Sequence, residues 1–98
     1  MDFRFEWDAA KAASNFAKHR ISFDLAMHAF ADPFAFVRQD RIEGGEYRWQ
    51  TIGMVDGRLL VLVAHTIRDE SDGSEVIRII SARRATAQER KRYEQESR

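Results

Sequence analysis

The sequence predicts an α+β fold in which a small antiparallel β-sheet is flanked by N-terminal helices and a C-terminal helix, in the order β-α-α-β-β-β-β-α. Three observations lead to this prediction. The pair Asp56-Gly57 separates two apolar stretches, which is the pattern of a β-hairpin. Two helix-like stretches follow an alternating N-terminal stretch, and a capping box precedes a polar C-terminal helix. Strands and helices that are segregated in this way are typical of α+β proteins.

The N-terminal third of the chain predicts one strand followed by two helices. Residues 2–7, DFRFEW, alternate polar and apolar side chains, as a half-buried strand does. Asp8 is a suitable N-cap for a helix that runs to about His19. Ser22 caps a second helix, which we expect to end before Asp32-Pro33 because the residue before a proline avoids helical geometry.

The middle of the chain predicts three strands. FAFVRQD (34–40) forms a short strand whose exposed exit is RIEGGE (41–46). The hairpin around the two-residue turn Asp56-Gly57 follows. LLVLVA (59–64) is apolar at every position, which predicts a central strand covered on both faces.

The C-terminal part predicts a last strand and a closing helix. VIRIISA (76–82) has the β-branched composition of a strand and ends at two adjacent arginines. Thr86 and Glu89 have the T-x-x-E spacing of a capping box, so a helix should start there.

Length and composition limit the possible functions. We expect residues 1–98 to form a single domain, since 98 residues is close to the commonest domain size and 44% of them are apolar. The absence of cysteine excludes disulfides, thiolate nucleophiles and cysteine-based zinc sites. No stretch has the length of a membrane span or the pattern of a signal peptide, so a cytoplasmic protein without membrane contact is expected.

The charge distribution is asymmetric although the formal net charge is zero. Residues 1–75 contain 9 Lys/Arg and 13 Asp/Glu, whereas residues 76–98 contain 7 and 3. Zero net charge argues against a protein that coats nucleic acid nonspecifically, because such binding depends on neutralising many phosphates. The basic C-terminal part indicates a local anion site, and a solvated helix is the alternative explanation.

The predicted turn also predicts which side chains meet. A two-residue turn pairs Val55 with Arg58 and places Arg48 directly across from His65, at the open end of the hairpin. A guanidinium beside an imidazole disfavours the protonated ring, which suits an acid/base site around an anion. The alternative is an edge pair whose side chains both point into water. Arg68 lies just beyond the same end of the hairpin.

The histidines do not indicate a metal centre. Three histidines without a repeated spacing are too few for a ligand set, so we expect no metal and no cofactor. His19 ends the first predicted helix, where the helix dipole favours the charged imidazole, although capping explains that position equally well. The sequence contains no G-x-S-x-G, P-loop or G-x-G-x-x-G motif that would indicate acyl transfer, nucleotide hydrolysis or dinucleotide binding.

Four blocks of the sequence resemble a known family. The blocks are FEWDAAKAASNFAKH, then SF-LA---FADP, then RW-TIG---GRLLVLVAHT-R, and finally IRIISARRATAQERKRYE. In this order and spacing they resemble the BrnT family, ribonuclease toxins of bacterial type II toxin-antitoxin pairs. The resemblance implies a RelE-like fold with a metal-independent RNA-cleaving groove on the sheet. It also implies a ribbon-helix-helix antitoxin partner, contact with operator DNA through that antitoxin, and a heterotetrameric complex.

The resemblance assigns candidate site residues. The matching positions are His19 in KH, Arg48 in RW, Arg68 after HT, Arg83 and Arg84 in ARRA, and Tyr93 in the last helix. One position departs from the family, which usually has Gly after KH where this chain has Arg20. A helix exit favours a left-handed residue at that point, so the placement of His19 depends on how Arg20 is accommodated.

Metal-free RNA cleavage needs a base for the 2′-hydroxyl, cations for the charge on the phosphoryl oxygens, and an acid for the leaving oxygen. Arg83 and Arg68 are the expected phosphate clamps, with Arg48 as a third, because arginine stays charged and binds phosphate oxygens in pairs. His65 or His19 is the expected proton carrier.

Two further residues are assigned to RNA binding, and one aromatic is not. Arg84 and Tyr93 are expected to contact RNA. Arg83 and Arg84 should point to opposite faces of the strand, so only one is expected in the catalytic site. Trp49 could stack on a base, but it faces away from Arg48 by strand alternation, which favours a core position.

Two alternative functions remain open at this stage. The same basic groove would serve a catalytically inactive RNA-binding or operator-binding corepressor. The basic tail of residues 86–98 would also serve to dock an acidic segment of an antitoxin.

Overall fold

The computed structural model describes residues 3–96 and contains a five-stranded sheet with helices on both faces. The strands are β1 (Phe3–Glu6), β2 (Phe36–Glu43), β3 (Glu46–Val55), β4 (Leu59–Asp69) and β5 (Glu75–Arg84). The helices are α1 (Ala9–His19), α2 (Phe23–Ala26), a 3₁₀ helix (Met27–Ala31) and α3 (Ala87–Glu96). The predicted α+β class and element order are confirmed. Asp2 of the predicted first strand and residues 97–98 of the tail lie outside the described residues.

The strands are arranged in the order β1-β5-β4-β3-β2, so β4 is central, as its continuous apolar run predicts. Neighbouring strands from β2 to β5 are antiparallel, whereas β1 pairs in parallel with β5 at one edge. The sheet departs from the expected antiparallel pattern at this edge. The reason is that the helices between β1 and β2 cross one face and carry the chain to the opposite edge.

The predicted helix caps are present. The Asp8 side chain accepts a hydrogen bond from the backbone N–H of Ala10 at 3.1 Å, and Ser22 Oγ accepts from Leu25 N–H at 3.0 Å. The second predicted helix begins as α2 and tightens into the 3₁₀ helix before Asp32. Among residues 3–96, no helix is both long and apolar enough to cross a membrane.

Two hydrophobic clusters lie on opposite faces of the sheet. The helix face is the side covered by α1, α2 and the 3₁₀ helix, and Phe23, Val61, Val63 and Ile79 are buried there. A fully buried side chain of this size contributes about 1.5–3 kcal/mol. Gly53 permits the close approach of the 3₁₀ helix, because a Cβ at that position would lie 2.3 Å from the carbonyl oxygen of Ala29.

The tail face is the opposite side of the sheet, covered in part by α3. Tyr93 of α3 packs in a cluster with Ile52, Leu60 and Leu62. Its hydroxyl donates a hydrogen bond to Asp32 Oδ2 at 2.6 Å, which ties α3 to the end of the N-terminal helices.

Asp32 joins three elements through its carboxylate. Oδ2 accepts hydrogen bonds from the Tyr93 hydroxyl and from Met54 N–H at 2.7 Å, and Oδ1 accepts from Phe34 N–H at 2.9 Å. Burial raises the pKa of Asp32, but these hydrogen bonds outweigh it, so the pKa lies below its usual value. Asp32 therefore remains ionised and holds α3 against β3.

The two hairpin turns differ from the prediction. Glu43 pairs with Glu46, so Gly44-Gly45 is a two-residue turn in the segment that was expected to be an exposed exit. Both glycines have positive φ, which that turn requires. The expected two-residue register at Asp56-Gly57 is wrong, because Val55 pairs with Leu59 and three residues connect the strands.

Candidate active site

A cavity on the tail face collects several of the arginines. We call it the arginine pocket, and it has a volume of about 180 Å³. Its lining residues come from four neighbouring strands and are Asp40, Arg41, Arg48, Gln50, Leu62, Ala64, Ile80, Ser81 and Arg83. The pocket lies next to the first turn of α3, because Arg83 in its lining contacts Glu89 of that turn.

Two bulges shape the arginine pocket from opposite sides. The pairing of β2 with β3 shifts between Gln39 and Arg41, which leaves Asp40 without a pairing residue on β3. The pairing of β4 with β5 shifts so that His65 pairs with Ile79, and Ile80 is the extra residue. A bulge adds one residue to a strand and redirects its neighbours, a device that occurs often beside active sites.

Arg83 is fixed by a carboxylate from α3. Its Nη1 donates to Glu89 Oε1 at 2.8 Å and its Nη2 donates to Glu89 Oε2 at 3.0 Å, so the contact is bidentate. The hydrogen bond from Arg83, with help from the Thr86 N–H and the charge of Arg38, lowers the pKa of Glu89 to about 2 against the opposing effect of burial. The pair therefore stays charged, and the orientation of Arg83 is set by the start of α3.

Glu89 also binds a second arginine. Arg38 Nη2 lies 3.2 Å from Glu89 Oε2, and Arg38 Nε donates to Gln50 Oε1 at 2.7 Å. One carboxylate thus faces two guanidinium groups, which leaves a net positive charge at this wall of the pocket. In the sequence, Glu89 carried only the signal of a helix cap, and Arg38 carried no signal of a site residue.

Arg48 has the least satisfied side chain in the pocket. Its side chain is 21% exposed, and its Nη2 lies 3.6 Å from Glu43 Oε2. Within residues 3–96, its buried Nε has no hydrogen-bond partner. A buried donor without a partner is energetically costly, so an anionic oxygen in the pocket would find an available N–H group.

The structure separates Arg48 from His65. His65 pairs with Trp49, so the expected pairing of His65 with Arg48 is wrong by one residue. The cause is the third residue, Arg58, in the turn. Because side chains alternate along a strand, Arg48 points to the tail face and His65 to the helix face.

His65 is a core histidine. It is 1% exposed, its ring lies 5.0 Å from that of Phe30, and its Nε2 lies 2.7 Å from Thr51 Oγ1. Its Nδ1 lies 3.3 Å from the carbonyl oxygen of Thr66. Burial lowers the pKa of His65 to about 4. The ring is therefore neutral at pH 7 and separated from the arginine pocket by the sheet.

His19 lies beside the arginine pocket. It ends α1 and lines a second cavity together with Lys11, Lys18, Ile80 and Ser81. Ile80 and Ser81 also line the arginine pocket, so the two cavities share a wall at the β5 bulge.

The exit of α1 has the left-handed backbone that glycine favours, although the residue there is Arg20. Arg20 has φ 60° and ψ 25°, which is the left-handed conformation, and its N–H donates to Phe16 O at 2.8 Å. Its guanidinium lies 5.7 Å from the centre of the Phe16 ring. The helix exit at which glycine was expected is therefore formed with Arg20.

Arg68 lies on the tail face but outside the arginine pocket. It is four residues beyond Ala64 on β4, which is about 13 Å along the strand. Arg68 donates to Glu6 at 3.0 and 3.1 Å and lies 3.4 Å from Glu70. Hydrogen bonds from Arg68 and then from Arg78 lower the pKa of Glu6 to about 2.

The two residues expected to bind RNA lie elsewhere. Arg84 is exposed and pairs with Val61, whose side chain is on the helix face, so strand alternation directs Arg84 away from the pocket. Tyr93 is 7% exposed and anchors α3. Among residues 3–96, no three His, Asp or Glu side chains form a group that could hold a metal ion.

The comparisons with known proteins agree with the sequence resemblance. A family model described as "Ribonuclease toxin, BrnT, of type II toxin-antitoxin system" matches residues 7–89. The chain is also similar to the 1.1 Å crystal structure of the Brucella abortus ribonuclease toxin BrnT, with 26% identity and a TM-score of 0.61. That match covers 88% of this chain and 99% of the Brucella chain. A comparison with curated proteins found no match. Since the family model spans most of the sequence, the chain belongs to the BrnT family of ribonuclease toxins of type II toxin-antitoxin systems.

Proposed function

We propose that the arginine pocket is the catalytic centre of a metal-independent endoribonuclease. The observation that carries this proposal is that Arg48 and Arg83 line the same cavity and differ in their hydrogen-bond partners. Arg83 is fixed in orientation by Glu89, and Arg48 has an unsatisfied buried N–H. A preorganised cation and a free donor are the groups that stabilise charge on a phosphoryl group during cleavage.

In the proposed reaction, the 2′-oxygen of the RNA attacks the adjacent phosphorus and the bond from phosphorus to the 5′-oxygen breaks. A base accepts the 2′-hydroxyl proton, and an acid supplies a proton to the departing 5′-oxygen. The products are a 2′,3′-cyclic phosphate and a free 5′-hydroxyl. Arg48 and Arg83 donate hydrogen bonds to the nonbridging oxygens, where negative charge accumulates.

His19 is the proposed proton carrier. The sequence allowed either His19 or His65, and the burial of His65 on the helix face favours His19. The cavity of His19 adjoins the pocket through Ile80 and Ser81, and Lys11 and Lys18 add positive charge along this path. An RNA strand that leaves the arginine pocket over the β5 bulge towards α1 would thus meet further cations.

Arg68 is proposed as a distal phosphate contact. It is ion-paired with Glu6 and lies beyond the pocket, so it suits a neighbouring phosphate better than the scissile one. Arg84 and Tyr93 are proposed to have peripheral roles. Arg84 would contact RNA that leaves the pocket around the edge of the sheet, and Tyr93 anchors α3.

The test is cleavage of single-stranded RNA by purified protein in the presence of a metal chelator. Arg83→Ala should reduce kcat by roughly 10²–10³, as loss of one oxyanion donor does. Arg58→Ala is the matched control, because Arg58 is exposed in the β3–β4 turn. Equal rates for wild type and Arg83→Ala would refute the assignment, and loss of cleavage on chelation would refute metal independence.

For the partner we propose a ribbon-helix-helix antitoxin that carries the toxin to operator DNA. The family implies an antitoxin, and ribbon-helix-helix domains are dimeric, which supports a heterotetramer of two toxins and two antitoxins. Light scattering of the co-purified complex, with and without operator DNA, measures this stoichiometry. A complex of one toxin with one antitoxin would contradict it.

A catalytically inactive corepressor is the second candidate. It is favoured by the engagement of both terminal nitrogens of Arg83 with Glu89, since a neutralised arginine is a weaker phosphate ligand. Induction of the toxin alone separates the two functions. Growth arrest with RNA degradation supports the ribonuclease, whereas normal growth with intact RNA supports the corepressor.

A further inference from the structure

The helices leave one end of the helix face uncovered, near the Gly44-Gly45 turn. We call the exposed and half-buried apolar side chains on this face of β2, β3 and β4 the apolar patch, and its residues are Val37, Ile42, Tyr47, Trp49 and Ile67. Ile42 is 59% exposed and Tyr47 is 54% exposed. The Tyr47 and Trp49 rings lie 6.3 Å apart. Exposed aromatic and aliphatic side chains that adjoin one another mark interaction surfaces on proteins of this size.

The strand register places all five residues of the apolar patch on the helix face. Val37 pairs with Thr51 and Ile42 with Tyr47, and Trp49 pairs with His65, which is on the helix face. Ile67 is two residues beyond His65 on β4 and therefore points the same way. The patch thus crosses β2, β3 and β4 on the side opposite the arginine pocket.

A cavity of about 480 Å³ at the border of the apolar patch is acidic. Tyr47, Trp49 and Ile67 form its apolar wall, and its charged lining residues, within the part of the chain that the structure describes, are Glu46, Asp69 and Glu75. Across residues 3–96, none of these three carboxylates forms a salt bridge with Lys or Arg.

Two of the carboxylates face each other directly. Asp69 of β4 pairs with Glu75 of β5, and like charges at opposite positions destabilise a sheet. No Lys or Arg among the described residues forms a salt bridge with either carboxylate, so only solvent screens their charges in the free toxin. A lysine or arginine from a binding partner would relieve the repulsion, and the adjacent aromatic wall would cover its aliphatic stem.

We propose that the apolar patch and its acidic cavity form a docking surface for the antitoxin. The docking segment should present apolar side chains to Tyr47 and Ile42 and place a lysine or arginine between Asp69 and Glu75. Charge complementarity selects this occupant, because three carboxylates repel the phosphates of RNA. The proposal depends on the antitoxin that the family implies and is independent of the assignment of the arginine pocket.

Docking on the apolar patch leaves the arginine pocket open, because the two surfaces lie on opposite faces of the sheet. This contact therefore supplies affinity, and inhibition requires the antitoxin to reach the tail face with another segment. Weakening the patch should raise the antitoxin concentration needed for inhibition and leave cleavage by the free toxin unchanged.

The test uses calorimetric titration of the purified toxin with the antitoxin encoded beside it. Glu75→Lys should weaken binding at least about tenfold, as loss of a central interface contact does. The same substitution should raise the Tm of the free toxin, because the new ammonium group would replace the repulsion of Asp69 with attraction. A misfolded variant would show the opposite change in Tm. Ile42→Ser should also weaken binding and provides a second variant.

The controls are matched in chemistry and lie elsewhere. Glu94→Lys makes the same charge change on the exposed side of α3, and Phe16→Ser removes an exposed apolar side chain from α1. Both should bind like wild type. The proposal is overturned if Glu75→Lys and Ile42→Ser bind the antitoxin within twofold of wild type. It is equally overturned if Ile42→Ser affects only self-association of the toxin or only RNA affinity.

The titration also separates this proposal from the proposed catalytic function. Binding is measured without RNA, so a toxin that cleaves nothing still reports on the apolar patch. Conversely, if the patch variants bind the antitoxin normally and cleave RNA normally, the proposed docking surface is refuted and the proposed catalytic role of the arginine pocket is retained.

Discussion

The two uncovered areas of the sheet are built from the same strands and have opposite chemistry. On β3, Arg48 points to the tail face, whereas its neighbours Tyr47 and Trp49 point to the helix face. The arginine pocket collects cations with an unsatisfied donor, and the apolar patch collects aromatic rings with unpaired carboxylates. Strand alternation alone separates the two sets. The formal net charge of zero therefore hides the separation of positive and negative side chains onto opposite faces of the sheet.

The largest expected effect is on kcat, and it should differ between the adjacent residues Arg48 and Tyr47. Arg48→Ala should lower kcat for RNA cleavage by roughly 10²–10³, because the phosphoryl oxygen loses a donor. Tyr47→Ser should change kcat by no more than about twofold, as most surface substitutions do. Steady-state cleavage assays of the two variants measure the contrast. Similar losses in both would mean that the active site extends to both faces.

The next effect is a pH dependence that originates on the helix face. The pKa of His65 is about 4 in the folded protein and about 6.5 in the unfolded chain. The unfolded chain therefore binds a proton first as the pH falls, and stability is lost between about 6.5 and 4. The loss should reach about 3 kcal/mol at the lower end.

Urea unfolding across this pH range measures the effect. His65→Gln should be less stable at pH 7, because it loses buried contacts, but its stability should fall less over the same interval. His28→Gln is the control, since His28 is exposed in the 3₁₀ helix. An unchanged pH profile for His65→Gln would contradict the assignment of this titration to the core histidine.

A smaller effect, at lower pH, originates on the tail face. The pKa of Glu89 is about 2 in the folded protein and about 4.5 in the unfolded chain, so its contribution to stability is present above pH 4.5 and lost as the pH falls towards 2. Glu89→Gln should cost about 2 kcal/mol at pH 7, since it leaves Arg83 and Arg38 without a carboxylate. It should also lower kcat about tenfold, because Arg83 loses its fixed orientation.

Glu89→Asp tests the positioning role. The shorter side chain keeps the charge and should recover part of the stability, but not the bidentate geometry or the full kcat. Recovery of full activity by Glu89→Asp would indicate that only the charge matters. A kcat for Glu89→Gln equal to that of wild type would show that Arg83 needs no partner for catalysis.

The smallest effect should come from Arg68. Its ion pairs with Glu6 and Glu70 are exposed, and such pairs contribute little to stability because water and salt screen them. Arg68→Ala should leave the Tm almost unchanged and should mainly raise KM for longer RNA, as loss of a distal phosphate contact does. A large fall in kcat with a short substrate would instead indicate that Arg68 acts in the catalytic centre.

Patterns local in sequence predicted the fold well. The caps at Asp8 and Ser22, the central position of LLVLVA and the capping box at Thr86 depend on neighbouring residues, so they can be inferred from the sequence. The parallel pairing of β1 with β5 could not, because it depends on where the crossing helices return the chain.

The candidate site was less accessible to sequence analysis because its geometry depends on register. One extra residue, Arg58, moved His65 to the opposite face from Arg48. The bulges at Asp40 and Ile80 have no sequence signature comparable to a glycine turn. Glu89 did have a sequence signature. A capping-box carboxylate a few residues after two arginines is close enough to bind one of them, so the spacing could have predicted the ion pair of Arg83 with Glu89.

The double role of Glu89 has a consequence for how the toxin is kept in its competent form. The carboxylate that receives the N–H of Thr86 at 2.9 Å also holds Arg83, so winding the first turn of α3 and aligning the guanidinium are one event. The fraction of molecules with an aligned Arg83 cannot exceed the fraction in which that turn is wound. Under the proposed role of Arg83, fraying of the first turn of α3 would lower ribonuclease activity, and a molecule that unwinds this turn would inhibit the toxin without entering the arginine pocket.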